Sequence, residues 1–339
     1  MRILVAAAAA SVLAAPAAAE TFQATSVEIK DAAAQLTVIP EDRANIDVSI
    51  TAGARLAAPQ ARMTAEGLVI DGGLRNRFRG CTNTLGGGTQ VRISGVGSVP
   101  REDLPRITLR VPRQLNLSAG GAIYTTIGPS AGGVVTMSGC GDTAIAGVSG
   151  GLDLTLNGSG DIDVTRVAGT LAAVLNGSGS LEVERADAEA ALRLNGSGDL
   201  QVGQIGGPLN AQLTGSGSLR AGAAEGDARL VLNGSGNVHA GAISGALEAE
   251  LRGSGSMRVA SVNGESAALN LTSSGSLVVS SGQVARLDAR STGSGSVRYG
   301  GSAGATRASL TGSGNITIHD AGRVESLSDT GSGSINVGR

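Results

Sequence analysis

One phrase constrains this chain more than anything else in it. A serine flanked by two glycines stands at Ser159, Ser178, Ser197, Ser216, Ser235, Ser254, Ser294, Ser313 and Ser332, and Ser274 fills the same place after a serine instead of a glycine. The steps are 19 or 20 residues throughout. Upstream, Cys140 in "SGCGD" and Gly120 in "SAGGA" continue the step, so about a dozen repeats begin near Leu115. A fixed period of this size signals stacked units, each burying on its neighbours a face it could not bury alone.

The flanks of each serine say what the unit is made of. Three residues after it stand Ile162, Leu181, Leu200, Leu219, Val238, Met257, Leu277, Val297, Ile316 and Ile335, and two further on come residues such as Val164, Val183, Val202 and Val259. Three residues before it the chain places Leu156, Leu175, Leu194, Leu213, Leu232, Leu251, Leu271 and Leu310, broken only by Ser291 and Asp329. Alternation with period two means strands. Helix is excluded by the recurrent glycines, each costing about 1 kcal/mol in a helix interior relative to alanine.

Stacking such strands about 4.8 Å apart places Leu on Leu and Val on Val along one axis. Parity then predicts that Gly177 and Gly179 face inward with Leu175 and Leu181, while Asn176, Ser178 and Ser180 face out. An odd period must shift parity once per repeat, and turns such as "RVAG", "QIGG" and "AISG" are the place for it. The expected fold is all-β: a right-handed parallel β-helix, or β-solenoid, of about 19 residues per coil, with two main strands per coil and the hand set by the usual crossover preference. An irregular β-rich segment precedes it.

The phrases "LNGSGDIDV", "LNGSGSLEV" and "LTGSGNITI", following that β-rich lead, resemble the bacterial family called the head GIN domain of autotransporter adhesins. The likeness covers roughly residues 25–337. It implies a right-handed parallel β-helix in an exported protein, an adhesin-like role, and no catalytic residues to carry over. The C-terminal "INVGR" has none of the aromatic-rich strands of an outer-membrane barrel, a departure from the autotransporter pattern.

Three segments are expected. Residues 1–19 carry one Arg, an apolar run and a small-residue finish, the pattern of a secretory signal peptide cut after Ala19. Residues 20–113 form a β-rich N-terminal segment or cap, read from short alternating runs such as "QLTVIP", "NIDVSI" and "RITLRV". Residues 114–339 form the repeat helix. In an exported chain the two cysteines, Cys81 and Cys140, most simply pair in one disulfide, with two free buried thiols as the alternative.

Composition narrows function by exclusion. Only four aromatics occur, Phe22, Phe78, Tyr124 and Tyr299, and the net charge is −2. Stacking platforms for single-stranded nucleic acid are therefore missing, and so is any overall cationic attraction to it. Neither a cofactor nor a metal ion is expected. Calcium rolls need aspartates at a nine-residue step, whereas Asp142, Asp161 and Asp199 share a slot that elsewhere holds Ser, Asn or Ala. His239 and His319 lie four coils apart and cannot share a site. Thr-x-Thr ranks for binding ice are absent, and the strict period of Asn-Gly-Ser explains that tripeptide without glycosylation.

The least repetitive stretch is "DGGLRNRFRGCTNTLGGGTQ" at 71–90. Its Arg75, Arg77, Phe78 and Arg79 form a candidate ligand loop for an acidic partner, a surface glycan or another envelope component. The plain alternative is a solvated basic loop pinned by Cys81. The expected function is an exported, non-catalytic binding or structural solenoid in the periplasm or at the cell surface. A polysaccharide-active β-helix enzyme is the second reading, weakened by scattered carboxylates.

Overall fold

The computed structural model of the chain describes residues 19–83 and 89–338, so the expected signal segment lies outside the described residues except for Ala19. Regular structure in the described residues is strand, apart from two three-residue 3-10 turns. The repeats form a parallel β-solenoid, as the period requires.

One rung shows the plan. Leu171–Gly177 is paired in parallel with Leu152–Gly158 on one side and with Ala190–Gly196 on the other, every residue facing its equivalent one repeat away. Leu171, Ala173 and Leu175 point into the core and are fully buried, as are Leu181 and Val183 after the corner. Each buried Leu or Val contributes roughly 1.5–3 kcal/mol against full exposure. Along these strands the backbone amides and carbonyls pair from rung to rung.

The rung has more than two faces. Val148, Val167, Ala186, Ile205, Ala224, Ile243 and Val262 stack as a third buried column, held by bridges and short strand pairings. Val167, Ile205 and Ile243 of this column belong to the turns "RVAG", "QIGG" and "AISG", where the parity shift is expected. The inward set runs 181, 183, then 186, then 190, so the shift does fall there, but the turn carries core residues of its own. From residue 256 the faces merge into continuous strands, Ser256–Thr272, Ser276–Gly293, Ser296–Gly312 and Asn315–Gly331.

The glycine pair does not face inward in the simple way that parity predicts. Gly179 is buried, but Gly177 is only half-buried at the corner, with φ 144°. A Cβ on Gly177 would stand 2.1 Å from the Gly158 carbonyl oxygen, and one on Gly179 would stand 2.0 Å from that of Gly160. Both glycines are therefore required by axial stacking: at the corner the missing side chains would point along the axis into the preceding rung. That approach lets the Ser178 and Gly179 amides both donate to the Gly158 carbonyl, at 2.9 and 3.2 Å. Beside the corner runs an amide ladder, Asn195 Nδ2 donating to Asn176 Oδ1 and Asn176 Nδ2 to Asn157 Oδ1, each at 2.8 Å.

At the N-terminal end the strands are β1 (Glu20–Phe22), β2 (Val27–Glu41), β3 (Ile46–Thr51), β4 (Gln60–Thr64) and β5 (Gly67–Asp71). They continue with β6 (Phe78–Asn83), β7 (Thr89–Ile93), β8 (Gly97–Pro100), β9 (Arg106–Pro112) and β10 (Gln114–Ile127). β2 pairs in parallel with β10 and so forms a coil of the solenoid. It carries an extra residue there, and Asp31 takes φ 50° to absorb it. On its far edge β2 receives β5 and β9 in parallel. Antiparallel strands then end the stack, β4 on β5, β3 on β9 and β1 on β3. The switch to antiparallel pairing covers an edge that would otherwise be open. One slot departs from the sequence step: Gly120 pairs with Ser138, and it is Ala122 that stands opposite Cys140.

Candidate functional site

Three strands stay outside the solenoid. β6, β7 and β8 form a small antiparallel sheet, and it packs on the flank of the first coils. Leu74, Val91, Ile93, Val99 and Leu104 from this lobe share a second core with Ala33, Ala122 and Tyr124, which project outward from β2 and β10. Outward positions elsewhere on the solenoid are mostly polar; here they are apolar because the lobe covers them.

A covalent link holds the lobe in place. Cys81 on β6 and Cys140 are joined in a disulfide, with their Cα atoms 6.1 Å apart. Cys140 occupies the column that Ser159 and Ser178 continue, so the solenoid's recurring surface serine is replaced where the lobe is tied. Beside it the Arg101 guanidinium lies 4.7 Å from the centroid of the Tyr124 ring and 3.8 Å from the Asp142 carboxylate. Burial, with the nearby Asp142 charge, pushes the Tyr124 hydroxyl up to about 12, against the opposing effect of Arg101. Partial burial also raises the Asp142 carboxyl above its ordinary value, helped by Asp161 and Asp163 and opposed by Arg101.

The exposed side of the lobe is basic. Residues 72–100 contain four arginines, Arg75, Arg77, Arg79 and Arg92, and neither Asp nor Glu. Arg75 and Arg77 bound a 3-10 turn, and Arg79 follows on β6. None of the four is ion-paired with a described carboxylate. Arginines on the solenoid and cap are commonly paired: Arg43 with Asp47 at 2.6 Å, Arg113 with Asp42 at 2.6 Å, Arg290 with Asp288 at 2.7 Å, Arg307 with Glu325 at 3.0 Å. Phe78 is half-buried and packs against the second core.

Arg77 opens onto a cleft of about 280 Å³ between the lobe and the cap. Its floor and walls are Ala33, Leu56, Ala57, Pro59, Leu74, Val96 and Pro105 with Gly72 and Gly73, and its second cation is Arg55. The Arg77 Nε donates to the Ser94 carbonyl at 3.2 Å, which fixes the side chain and leaves its terminal amino groups without a described partner. Arg55 was not singled out from the sequence. It stands alone in "TAGARLAAP", and only the fold brings it to Arg77.

Other parts of the surface carry less. A shallow groove of about 430 Å³ along the solenoid is lined by Glu189, Asp227, Arg229 and Glu248, but Arg229 is already paired with Glu248, and Asp227 accepts the Ala246 amide at 2.8 Å. His239 and His319 sit on separate, exposed strand positions. Among the described residues no three His, Cys, Asp or Glu side chains gather closely enough to hold a metal ion, and no helix is long and apolar enough to cross a membrane.

Comparison with known proteins gives one family. The model described as "Putative auto-transporter adhesin, head GIN domain" matches residues 171–263 and again 243–338. No curated protein matches the chain. Among solved structures, a crystal structure of a "Putative lipid binding protein" from Parabacteroides distasonis aligns over 95% of this chain and 97% of its own, at 16% identity and a TM-score of 0.21.

Proposed function

Because the chain belongs, through residues 171–338, to the family of the auto-transporter adhesin head GIN domain, we propose that it is an exported, non-catalytic binding protein of the periplasm or cell surface. The solenoid is the rigid support and the arginine lobe the contact region, with an anionic surface glycan or another acidic envelope component as partner. The observation that carries this reading is the lobe's four arginines without a described carboxylate, in a lobe bound by a disulfide to a frame whose own arginines are commonly paired. A guanidinium held free in this way is suited to carboxylate, sulfate or phosphate. The disulfide fits an oxidising compartment.

The test combines surface proteolysis of fractionated cells with a glycan array and analysis of the products. Expected are protection or shaving consistent with an exported chain and salt-sensitive retention of anionic glycans. Retention should drop when Arg75, Arg77 and Arg79 are all changed to Gln. New reducing or unsaturated ends on a glycan would instead establish the polysaccharide-cleaving alternative, and a cytoplasmic chain would end the reading.

A further inference from the structure

We propose that the cleft shared by Arg55 and Arg77 binds an amphiphilic anion, with a phosphate monoester or carboxylate head between the two guanidinium groups and a short alkyl segment against Leu56, Leu74 and Val96. The inference rests on the reading of the lobe as an anion-binding surface, and it adds a second requirement, an apolar tail. Three observations lead to it. The lining holds two cations and no acidic residue. Apart from two glycines, everything else in it is apolar. Its volume of about 280 Å³ is near the lower end of the roughly 300–1,000 Å³ of small-molecule sites, which suits a head group with a few carbons and excludes a whole lipid.

The geometry also explains why a bare anion is the poorer ligand. Arg77 is anchored through Nε at Ser94, so its free edge can present two parallel donors to one head group. An inorganic ion would use those donors and leave the apolar walls wet. Each methylene that covers them should tighten binding roughly three- to fourfold until the cleft is full. The pyrrolidine rings of Pro59 and Pro105 stiffen the walls, so little ordering is needed on binding.

Calorimetric titration of the disulfide-intact protein with inorganic phosphate, butyl phosphate, hexyl phosphate and hexanol tests this. Affinity should rise from phosphate through butyl to hexyl phosphate, with hexanol silent. Arg55→Gln and Arg77→Gln should each weaken hexyl phosphate roughly ten- to a hundredfold. Arg193→Gln, a distant exposed change of the same charge, should have no effect, and unchanged melting of all three variants shows that the fold is intact. Vesicles of phosphatidylcholine with and without phosphatidic acid separate the sources. Binding to the acidic vesicles that is lost in both cleft variants assigns the site to a lipid headgroup, and binding of free hexyl phosphate alone assigns it to a soluble amphiphile.

Equal affinity for phosphate and hexyl phosphate overturns the inference, as does insensitivity to both cleft variants. If no alkyl phosphate binds while anionic glycans are still retained through Arg75 and Arg79, this inference falls and the broader reading stands. If neither class binds, both fall.

Discussion

Gly293 is stacked on Ser273: a Cβ on Gly293 would fall 2.6 Å from the Ser273 carbonyl oxygen, and the two residues hold nearly the same backbone, φ 122° and 117°. Ser273 is the serine that precedes a marker where every other rung from Gly139 onward has glycine. Its neighbours Ser274 and Gly275 do not make the paired amide bonds to the preceding corner, at Gly253, that Ser178 and Gly179 make to Gly158. A side chain held at this φ costs on the order of 1–3 kcal/mol. Ser273→Gly should therefore stabilise the protein by about 1 kcal/mol once the added freedom of the unfolded chain is subtracted. Thermal and urea melts read this directly, and a lower midpoint for the variant would contradict it.

The rung is interchangeable because Gly177 and Gly196 are register partners. Removing Ser178–Gly196 joins Gly177 to Ser197 and leaves the Leu, Val and glycine columns aligned. That variant should melt cooperatively at a modestly lower midpoint, since one rung and one interface are lost. Removing only Ser178–Asp187 puts Ala188 where the corner serine belongs and shifts each following buried side chain off its column. Aggregation or rapid proteolysis is expected of the shorter deletion, and equal behaviour of the two would show that the period is not a structural unit.

Much of this architecture is legible in the sequence for a physical reason. Repetition makes each buried position visible ten times over, so the two main columns and the corner glycines stand out from chance. The third column hides because Val167, Ala186, Ile205 and Ala224 are small or varied and sit beside glycine and acidic residues, which read as turn. The role of β2 as a coil is hidden too: its "AAAQLTVIP" lacks the glycine-serine marker, since Asp31 makes the bend there. At the lobe, three arginines close together in sequence were readable as a cationic loop. Arg55 was not, because no local spacing connects it to Arg77.

The link between Cys81 and Cys140 spans a sequence separation of 59. A closed loop of that size contributes on the order of 2–4 kcal/mol. Cys140→Ser restores the serine usual in its column, so the solenoid itself should be undisturbed. Expected is a local effect: hydrogen exchange speeds up at Val91 and Ile93, while Leu192 and Leu194 keep their protection. Uniform loss of protection along the chain would mean that the lobe is needed to hold the solenoid together.

Asp142 gives a pH test with a definite sign. Its folded carboxyl titrates above the ordinary value of 3.8, so the folded state holds the proton more readily than the unfolded one. Stability should therefore rise as pH falls through the window that begins at the folded value and ends near 3.8, and the ionised form at neutral pH is the less stable one. Asp142→Asn should protect the lobe better than wild type at pH 7 and flatten the dependence across that window. Exchange of the Val91 amide at several pH values reads both, and a less protected variant at pH 7 would show that the contact with Arg101 outweighs the cost of burying the charge.

The pairing of β2 with β10 has a consequence for the order of assembly. Val27 meets Leu117 only after the chain has travelled 90 residues (117 − 27), whereas Leu171 meets Ala190 after 19 (190 − 171). Closing the longer loop costs about 1.4 kcal/mol more in chain entropy. Collapse should therefore start among the repeats and spread toward the amino end, with β2 slotting in late. A chain emerging amino-terminus first thus makes its earliest coil wait for its second, and in that interval the exposed edge of β2 is the part of the molecule most in need of protection.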